Sequence, residues 1–205
     1  MYVPPHFKVD DDAAWRIVRD AGAGTLVINT DEGMASVFVP VLVSEDRRTI
    51  RFHVARANSW WRAVSDGTEV LALFLAASAY VSPNLYPSRA ESPGVVPTWN
   101  YVACEVRGQL RLHDDLEWTS RLVHDLTDHF EAGNTPPWRV EDAPHDYIGH
   151  QLTAIVGLEI DVSSIQGKDK LSQNRPEVDH DNVRENFAKG TLGEQNVASR
   201  MNLDD

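Results

Sequence analysis

The chain has 205 residues, 42% of them apolar, and a formal net charge of -12; this suits a domain with a sizeable core, and direct nucleic-acid binding is not expected. Cys104 is the single cysteine, so no intramolecular disulfide forms, and no apolar run approaches the roughly 20 residues that span a bilayer. The N-terminus lacks a secretion-signal pattern, so we expect a soluble cytoplasmic protein.

The first half of the chain predicts one helix followed by short strands. Three aspartates at 10–12 favour a helix start, and Gly22 or Gly24 can end that helix. Alternation, apolar runs and turn residues then predict strands at 24–29, 35–43, 50–54 and 70–75, with a short helix at 58–65. Pro40 indicates an edge or a bulge in the second strand. Residues 80–97 are rich in proline and predict a long loop, a feature that often carries function.

The second half contains the clearest strand, at 104–112, where apolar and polar side chains alternate. An amphipathic helix follows, from a capping-box-like start at Asp114 to a stop at Gly133, and a last strand covers 156–162. These elements indicate an α+β fold with a mostly antiparallel sheet, closer to a barrel than to a doubly wound sheet. We expect one domain over 1–180 and a polar, mobile tail over 181–205.

The most informative segment is the polar run KLSQNRP at 170–176, just after the last predicted strand. Its lysine, arginine and amides can supply cationic and amide donors to an anionic ligand, although the same composition suits a helix start in a solvated loop. Three other segments accompany it: MYVPPHF at 1–7, HVARAN at 53–58, and PTWNY at 97–101, the last preceded by YVSP at 80–83.

In this order and spacing, the four segments resemble the PaiB family, described as FMN-binding negative transcriptional regulators. The resemblance runs from residue 1 to about residue 180. It implies a split β-barrel of the FMN-binding type with peripheral helices, similar to pyridoxamine-phosphate oxidases and flavin reductases. It also implies a homodimer with a small-molecule ligand at the subunit interface, and FMN as the cofactor.

The residues themselves suggest where such a cofactor would bind. Arg56 and Asn58 follow a strand at a predicted helix start, where a guanidinium and a helix N-terminus suit a phosphate. Aromatic and polar side chains around the proline-rich loop can stack on a flat ring and fix its polar edge. With the resemblance, the phosphate candidates are Arg56, Lys170 and Arg175. The other cofactor candidates are Asn58, Ser82, Tyr86, Thr98, Trp99, Asn100, Gln173 and Asn174.

The chain departs from the family's pattern where relatives often carry histidine, and has Phe38, Trp60 and Glu105 there. Glu105 and Arg107 share one face of a predicted strand. If that face lines the ligand site, Glu105 can act as a base or orient a substrate amine, with Arg107 holding its charge state. A solvent-facing pair explains the same alternation. These two residues are the catalytic candidates.

Haem is the alternative cofactor, because some relatives in natural-product pathways, such as piperazate synthases, use haem to join two nitrogen atoms. His53, Cys104 and Tyr86 are available as axial ligands, and the sequence prefers none of them. A regulator that does not bind DNA directly and a cofactor-free pathway enzyme are further alternatives to a flavin-dependent oxidoreductase. No metal site is predicted, since one cysteine and scattered histidines lack ligand spacing.

Overall fold

The computed structural model describes residues 1–31 and 33–201. In chain order its strands are β1 (Ala23–Thr30), β2 (Gly33–Pro40), β3 (Leu42–Val43), β4 (Thr49–Ala55), β5 (Glu69–Val81), β6 (Thr98–His113) and β7 (Ile155–Lys170). The α-helices are α1 (Asp11–Ala21), α2 (Leu116–Glu131), α3 (His145–Thr153), α4 (Glu177–Phe187) and α5 (Leu192–Arg200). Short 3-10 turns connect several of these elements.

The strands form one seven-stranded antiparallel sheet with the order β2-β1-β5-β6-β7-β4-β3. The predicted α+β class with a mostly antiparallel sheet is therefore confirmed. Pro40 ends β2, and a separate two-residue strand follows, so the predicted interruption at this proline is also confirmed. The predicted helix at 58–65 is instead a 3-10 turn at Ser59–Ala63.

Two aspartates explain where α1 and α2 begin. Before α1, Asp10 Oδ1 accepts a hydrogen bond from the Ala13 backbone N–H at 2.7 Å. Before α2, Asp115 Oδ1 accepts from the Trp118 N–H at 2.6 Å. Both carboxylates satisfy backbone donors that a helix N-terminus leaves without partners, and their charge is favourable there.

The chain divides into two compact units, and β5, β6 and β7 each contribute residues to both. The first unit comprises residues 1–21, 74–105 and those from 166 onward, and the second comprises 22–73 and 106–165. The largest buried side chains of the first unit are Val18, Phe74, Tyr86 and Phe187. Those of the second unit are Leu26, Ile28, Ile50, Phe52, Leu110, Leu122, Leu158 and Ile160. Each unit therefore has apolar core residues of its own.

One face of the sheet in the second unit exposes apolar side chains. The strand register places Phe38, Thr25 and Leu73 in one row across β2, β1 and β5. Phe38 is 71% exposed and Leu73 is 41% exposed. Met34, opposite Asn29 in the same register, is 79% exposed. We call Met34, Phe38 and Leu73 the apolar face.

The segment after residue 180 differs from the expected mobile tail. It continues α4 and adds α5, whose Thr191 cap accepts a hydrogen bond from the Glu194 N–H. Five apolar side chains are buried here: Val183, Phe187, Val197, Ala198 and Met201. The polar composition concealed them because a short helix needs only one apolar residue per turn to bury one face. Residues 202–205 of the predicted tail lie outside the described residues. No described helix is long and apolar enough to cross a membrane.

Candidate functional site

Several predicted ligand-binding side chains meet at the end of β7 in the first unit. Lys170 is the last residue of β7, and its Nζ donates to Thr98 Oγ1 and to the Trp99 carbonyl, both at 2.5 Å. Arg175 follows a tight turn, and its guanidinium carbon lies 4.6 Å from the centroid of the Tyr86 ring. The structure thus joins five residues that the sequence selected from three separate segments.

Lys168 adds a third cation that sequence reasoning did not select. It is only 7% exposed, and its Nζ donates to the Tyr2 carbonyl at 3.2 Å and lies 5.2 Å from the centroid of the Tyr101 ring. The available signal was its spacing, because residues two apart on a strand point to the same face. We call Lys168, Lys170 and Arg175 the cation cluster.

The described residues offer no carboxylate that neutralises the cation cluster. Among residues 1–31 and 33–201, no carboxylate forms an ion pair with any of the three side chains. Burial lowers the pKa of Lys170, and the nearby charges of Lys168 and Arg175 lower it further. Like charges held together in a partly buried place, in a chain of net charge -12, form a strong local site for an anion.

Asn100 and Ser172 form a buried hydrogen-bonded pair next to the cation cluster. Both are buried, and the Asn100 amide donates to Ser172 Oγ at 2.9 Å while the hydroxyl lies 3.1 Å from Asn100 Oδ1. Ser172 has a φ of 69°, in the left-handed region that a non-glycine residue adopts only with support. Asn100 therefore fixes the turn between Lys170 and Arg175, and a direct contact with a ligand is not needed to explain it.

The remaining polar candidates of this region have local roles. The Gln173 side chain folds onto its own turn, accepting from the Leu171 N–H and donating to the Asp169 carbonyl, both at 2.7 Å. Ser82 caps a 3-10 turn by accepting from the Asn84 N–H at 3.2 Å. Asn174 is exposed in the turn itself. Of these three, only Asn174 makes no side-chain hydrogen bond to another described residue.

Helix α4 holds the first part of the proline-rich loop. Asp179 is fully buried, and its carboxylate accepts from the Ser88 N–H at 2.9 Å and from the Ser88 hydroxyl at 2.6 Å. The Asn182 amide donates to the Leu85 carbonyl at 2.8 Å. Sequence reasoning missed Asp179 because an acidic residue in a first helical turn is ordinary. These bonds fix Tyr86 beside Arg175.

Arg56 lies in the second unit, and its guanidinium already has protein partners. It contacts both carboxylate oxygens of Asp114, at 2.5 and 3.2 Å, and donates to the carbonyls of Thr153 and Ile155 at 3.0 and 3.2 Å. It thereby ties the end of β4 to the ends of β6 and α3. Asn58 precedes the 3-10 turn and makes no side-chain capping bond. The predicted phosphate contact of Arg56 gains no support from this arrangement.

We expect Arg56→Ala to lower the free energy of unfolding by about 2 kcal/mol, chiefly through the two carbonyl bonds. The ion pair adds little, because its two side chains are 34% and 49% exposed. Urea unfolding followed by tryptophan fluorescence measures the change. Arg48→Ala is the control. The Arg48 side chain is 85% exposed, and its Nε lies 3.9 Å from Asp46 Oδ2, at the outer limit of an ion pair. Equal losses in both variants would show that Arg56 has no structural role.

The two catalytic candidates, Glu105 and Arg107, lie on the more exposed face of β6. Their contacts differ. Glu105 Oε2 lies 3.0 Å from the amino group of Met1. Arg107 lines a cavity of about 650 Å³ in the second unit, and its carbonyl accepts from the Ser163 hydroxyl. Glu105 is not among the residues that line this cavity. Their joint acid-base role stays a prediction.

Comparison with known proteins identifies the family of the chain. Residues 1–164 match the family model described as "Putative FMN-binding domain". The Protease synthase and sporulation protein PAI 2 of Bacillus subtilis (strain 168) is 33% identical over 189 residues, which are 90% of this chain and 88% of that protein. This chain belongs to the FMN-binding domain family. The resemblance to PaiB that the four motifs indicate is confirmed.

Solved structures confirm the predicted split barrel for this family member. The FAD and haem binding protein from Mycobacterium smegmatis matches with a TM-score of 0.57 and 14% identity, covering 80% of this chain and 73% of that one. The flavocytochrome Anf3 from Azotobacter vinelandii matches with a TM-score of 0.58 and 10% identity, covering 78% and 67%. At such low identity these matches show the fold alone.

The three haem-ligand candidates of this FMN-binding domain are not equivalent. Cys104 is 2% exposed, and burial raises the pKa of its thiol to about 12, so it stays protonated. Tyr86 is buried under Arg175, and burial is the main cause that raises the pKa of its phenol. His53 lines a groove of about 320 Å³, and burial lowers the pKa of its imidazole. A neutral imidazole beside open space is the best ligand of the three.

Proposed function

We propose that this protein binds FMN with the phosphate on the cation cluster, and that it acts as a flavin-dependent oxidoreductase. When bound, FMN supplies the redox chemistry. The chain's own residues bind the phosphate and orient the ring. Lys170 and Arg175 hold the anion, with Lys168 adding charge from the same face of β7.

The observation that carries this proposal is that three clustered cations have no carboxylate partner among residues 1–31 and 33–201. Several arginines elsewhere in the chain are paired with carboxylates, as Arg111 is with Asp161 at 2.5 Å and Arg121 with Glu117 at 2.6 Å. The chain has more acidic than basic residues, so carboxylates are available to pair with its cations. Leaving three cations together without one favours an anionic ligand as their partner.

Two exposed aromatic rings favour a flat ligand next to this phosphate position. The Tyr80 and Trp99 rings lie edge to face with centroids 6.3 Å apart, and they are 49% and 54% exposed. Trp99 is the residue whose carbonyl accepts from Lys170. Lys170 therefore contacts the backbone of an exposed aromatic residue, and a flavin needs aromatic surface close to its phosphate position.

The apolar face supports a homodimer. Its three large side chains have no cover within the described part of the chain, and a sheet face that exposes Phe38, Leu73 and Met34 is typical of a protein interface. A second copy of the chain fits, and such obligate interfaces bury on the order of 2,000 Å² or more. Light scattering should give the dimer mass, and Phe38→Glu should shift it towards the monomer.

Haem is the second candidate, and the His53 groove is the observation that favours it. The groove joins this imidazole to apolar and aromatic side chains, namely Pro40, Leu126, Phe130 and Trp138. Both solved structures compared above are named for haem or cytochrome content as well as flavin. If haem is the cofactor, His53→Ala should abolish the Soret band that haemin gives with the parent protein.

One visible spectrum separates the two candidates. The protein is mixed with FMN or with haemin, desalted, and scanned. We expect flavin bands to stay with the protein after FMN and to be lost in the double variant Lys170→Met, Arg175→Met. A colourless FMN sample together with a Soret band that depends on His53 would replace this proposal with the haem reading.

A further inference from the structure

Lys170 differs from the other lysines of the chain in its surroundings. The chain has four lysines, at 8, 168, 170 and 189, and all lie in the described residues. Lys8 and Lys189 are exposed, whereas Lys168 is only 7% exposed. Lys170 is half-buried, and its hydrogen bond to the Trp99 carbonyl is open to solvent. Among the four, Lys170 combines partial burial with access from outside.

The charges around Lys170 disfavour its protonated form. Burial lowers the pKa of Lys170, and the positive charges of Lys168 and Arg175 lower it further. Among residues 1–31 and 33–201, no carboxylate pairs with the amine to hold it charged. An ordinary lysine is uncharged in only roughly one molecule in a thousand at about pH 7.5. The surroundings of Lys170 raise this fraction, and the uncharged amine is the nucleophilic form.

The hydrogen bonds of the Lys170 amine fit this uncharged form. Nζ lies 2.5 Å from both Thr98 Oγ1 and the Trp99 carbonyl oxygen. An uncharged amine keeps both acceptors through its two N–H groups, and its lone pair then occupies the remaining direction. The two bonds also hold the end of a flexible side chain in one place. A nucleophile that is already positioned reacts faster with a bound partner.

We propose that Lys170 forms an imine with a small aldehyde that carries a phosphate group. The amine attacks the aldehyde carbon, and one amine proton passes to the carbonyl oxygen. The second amine proton leaves with the resulting hydroxyl as water, and a carbon–nitrogen double bond remains, so no oxidant or reductant is needed. Arg175 binds the phosphate and Lys168 adds charge, because two cations beside the amine suit a doubly charged anion. The inference uses the cation cluster and does not depend on FMN.

The test compares two aldehydes that differ by the phosphate, glyceraldehyde 3-phosphate and glyceraldehyde. The whole protein, without flavin, is treated with each in the presence of cyanoborohydride, which reduces an imine to a stable amine. Peptide mass mapping then gives the rate of modification at each lysine. We expect glyceraldehyde 3-phosphate to modify Lys170 at least about tenfold faster than Lys8 or Lys189, although both of these are more exposed. Modification of the two exposed lysines at an equal or higher rate would overturn the proposal.

The preference for the phosphorylated aldehyde shows where the anion binds. At Lys170 it should be at least about tenfold, and at Lys8 and Lys189 it should be absent. Arg175→Met should remove most of this preference while Lys170 is still modified. Arg121→Met is the matched control, because Arg121 is exposed on α2 and pairs with Glu117. The proposal is wrong if Lys170 shows no preference, or if Arg175→Met leaves the preference unchanged. Circular dichroism confirms that each variant is folded.

Discussion

Gly108→Ala is expected to lower the free energy of unfolding by about 3 kcal/mol, at the upper end of what overpacking costs. A Cβ at this position would lie 2.2 Å from the backbone oxygen of Asp161 and 2.5 Å from Ile160 Cγ2. The oxygen belongs to β7, the neighbour of β6 in the sheet, so it cannot move without disturbing strand pairing. Position 108 is therefore a glycine for a steric reason.

Urea unfolding followed by tryptophan fluorescence measures this loss. Gly94→Ala is the control, because a Cβ there meets nothing within 4 Å. We expect the control to change stability by no more than about 0.5 kcal/mol. An unchanged midpoint for Gly108→Ala would mean that β6 and β7 are farther apart than described.

Asp179→Ala should cost about 3 kcal/mol as well, because it removes two hydrogen bonds to a fully buried carboxylate, each worth roughly 1.5–3 kcal/mol. It also leaves the Ser88 N–H and hydroxyl without their acceptor. Hydrogen exchange should show faster exchange of the amides at 85–91, since α4 no longer holds this part of the loop.

A double-mutant cycle identifies the contact responsible. In the Asp179→Ala background, Ser88→Ala should add little, because the hydroxyl has already lost its partner. Asp181→Ala on the same helix is the control, since Asp181 is 45% exposed and pairs with Arg184 at 3.3 Å. Fully additive losses from Ser88→Ala and Asp179→Ala would contradict the proposed link between α4 and the loop.

The sequence predicted the elements whose signals are local. The alternation at 104–112 gave most of β6, and the carboxylates at 10–12 and 114–115 gave the helix starts. Pro40 marked the end of β2 because proline cannot donate to a strand ladder. Strand lengths were underestimated, since β7 continues to Lys170 through polar residues without a regular apolar pattern.

Sequence patterns did not predict contacts between residues that are far apart in the chain. Arg56 was selected as a phosphate contact, but its partner Asp114 is 58 residues away and nothing local indicates the pair. Ser88 and Asp179 are 91 residues apart. The cluster of Lys170, Thr98 and Trp99 was selected only because the family resemblance linked its segments. The sequence therefore predicted which segments matter better than it predicted the role of each side chain.

The central claim is that the cation cluster binds the phosphate of FMN, and titration with FMN and riboflavin tests it most directly. The two flavins share the ring and differ by the phosphate. Quenching of flavin fluorescence should show FMN binding roughly ten- to a hundredfold more tightly, the value of one charge-assisted hydrogen bond. Lys170→Met should remove most of this preference, and Lys189→Met, which changes an exposed lysine two residues after α4, should keep it. Equal affinity of the parent protein for FMN and riboflavin would contradict the claim.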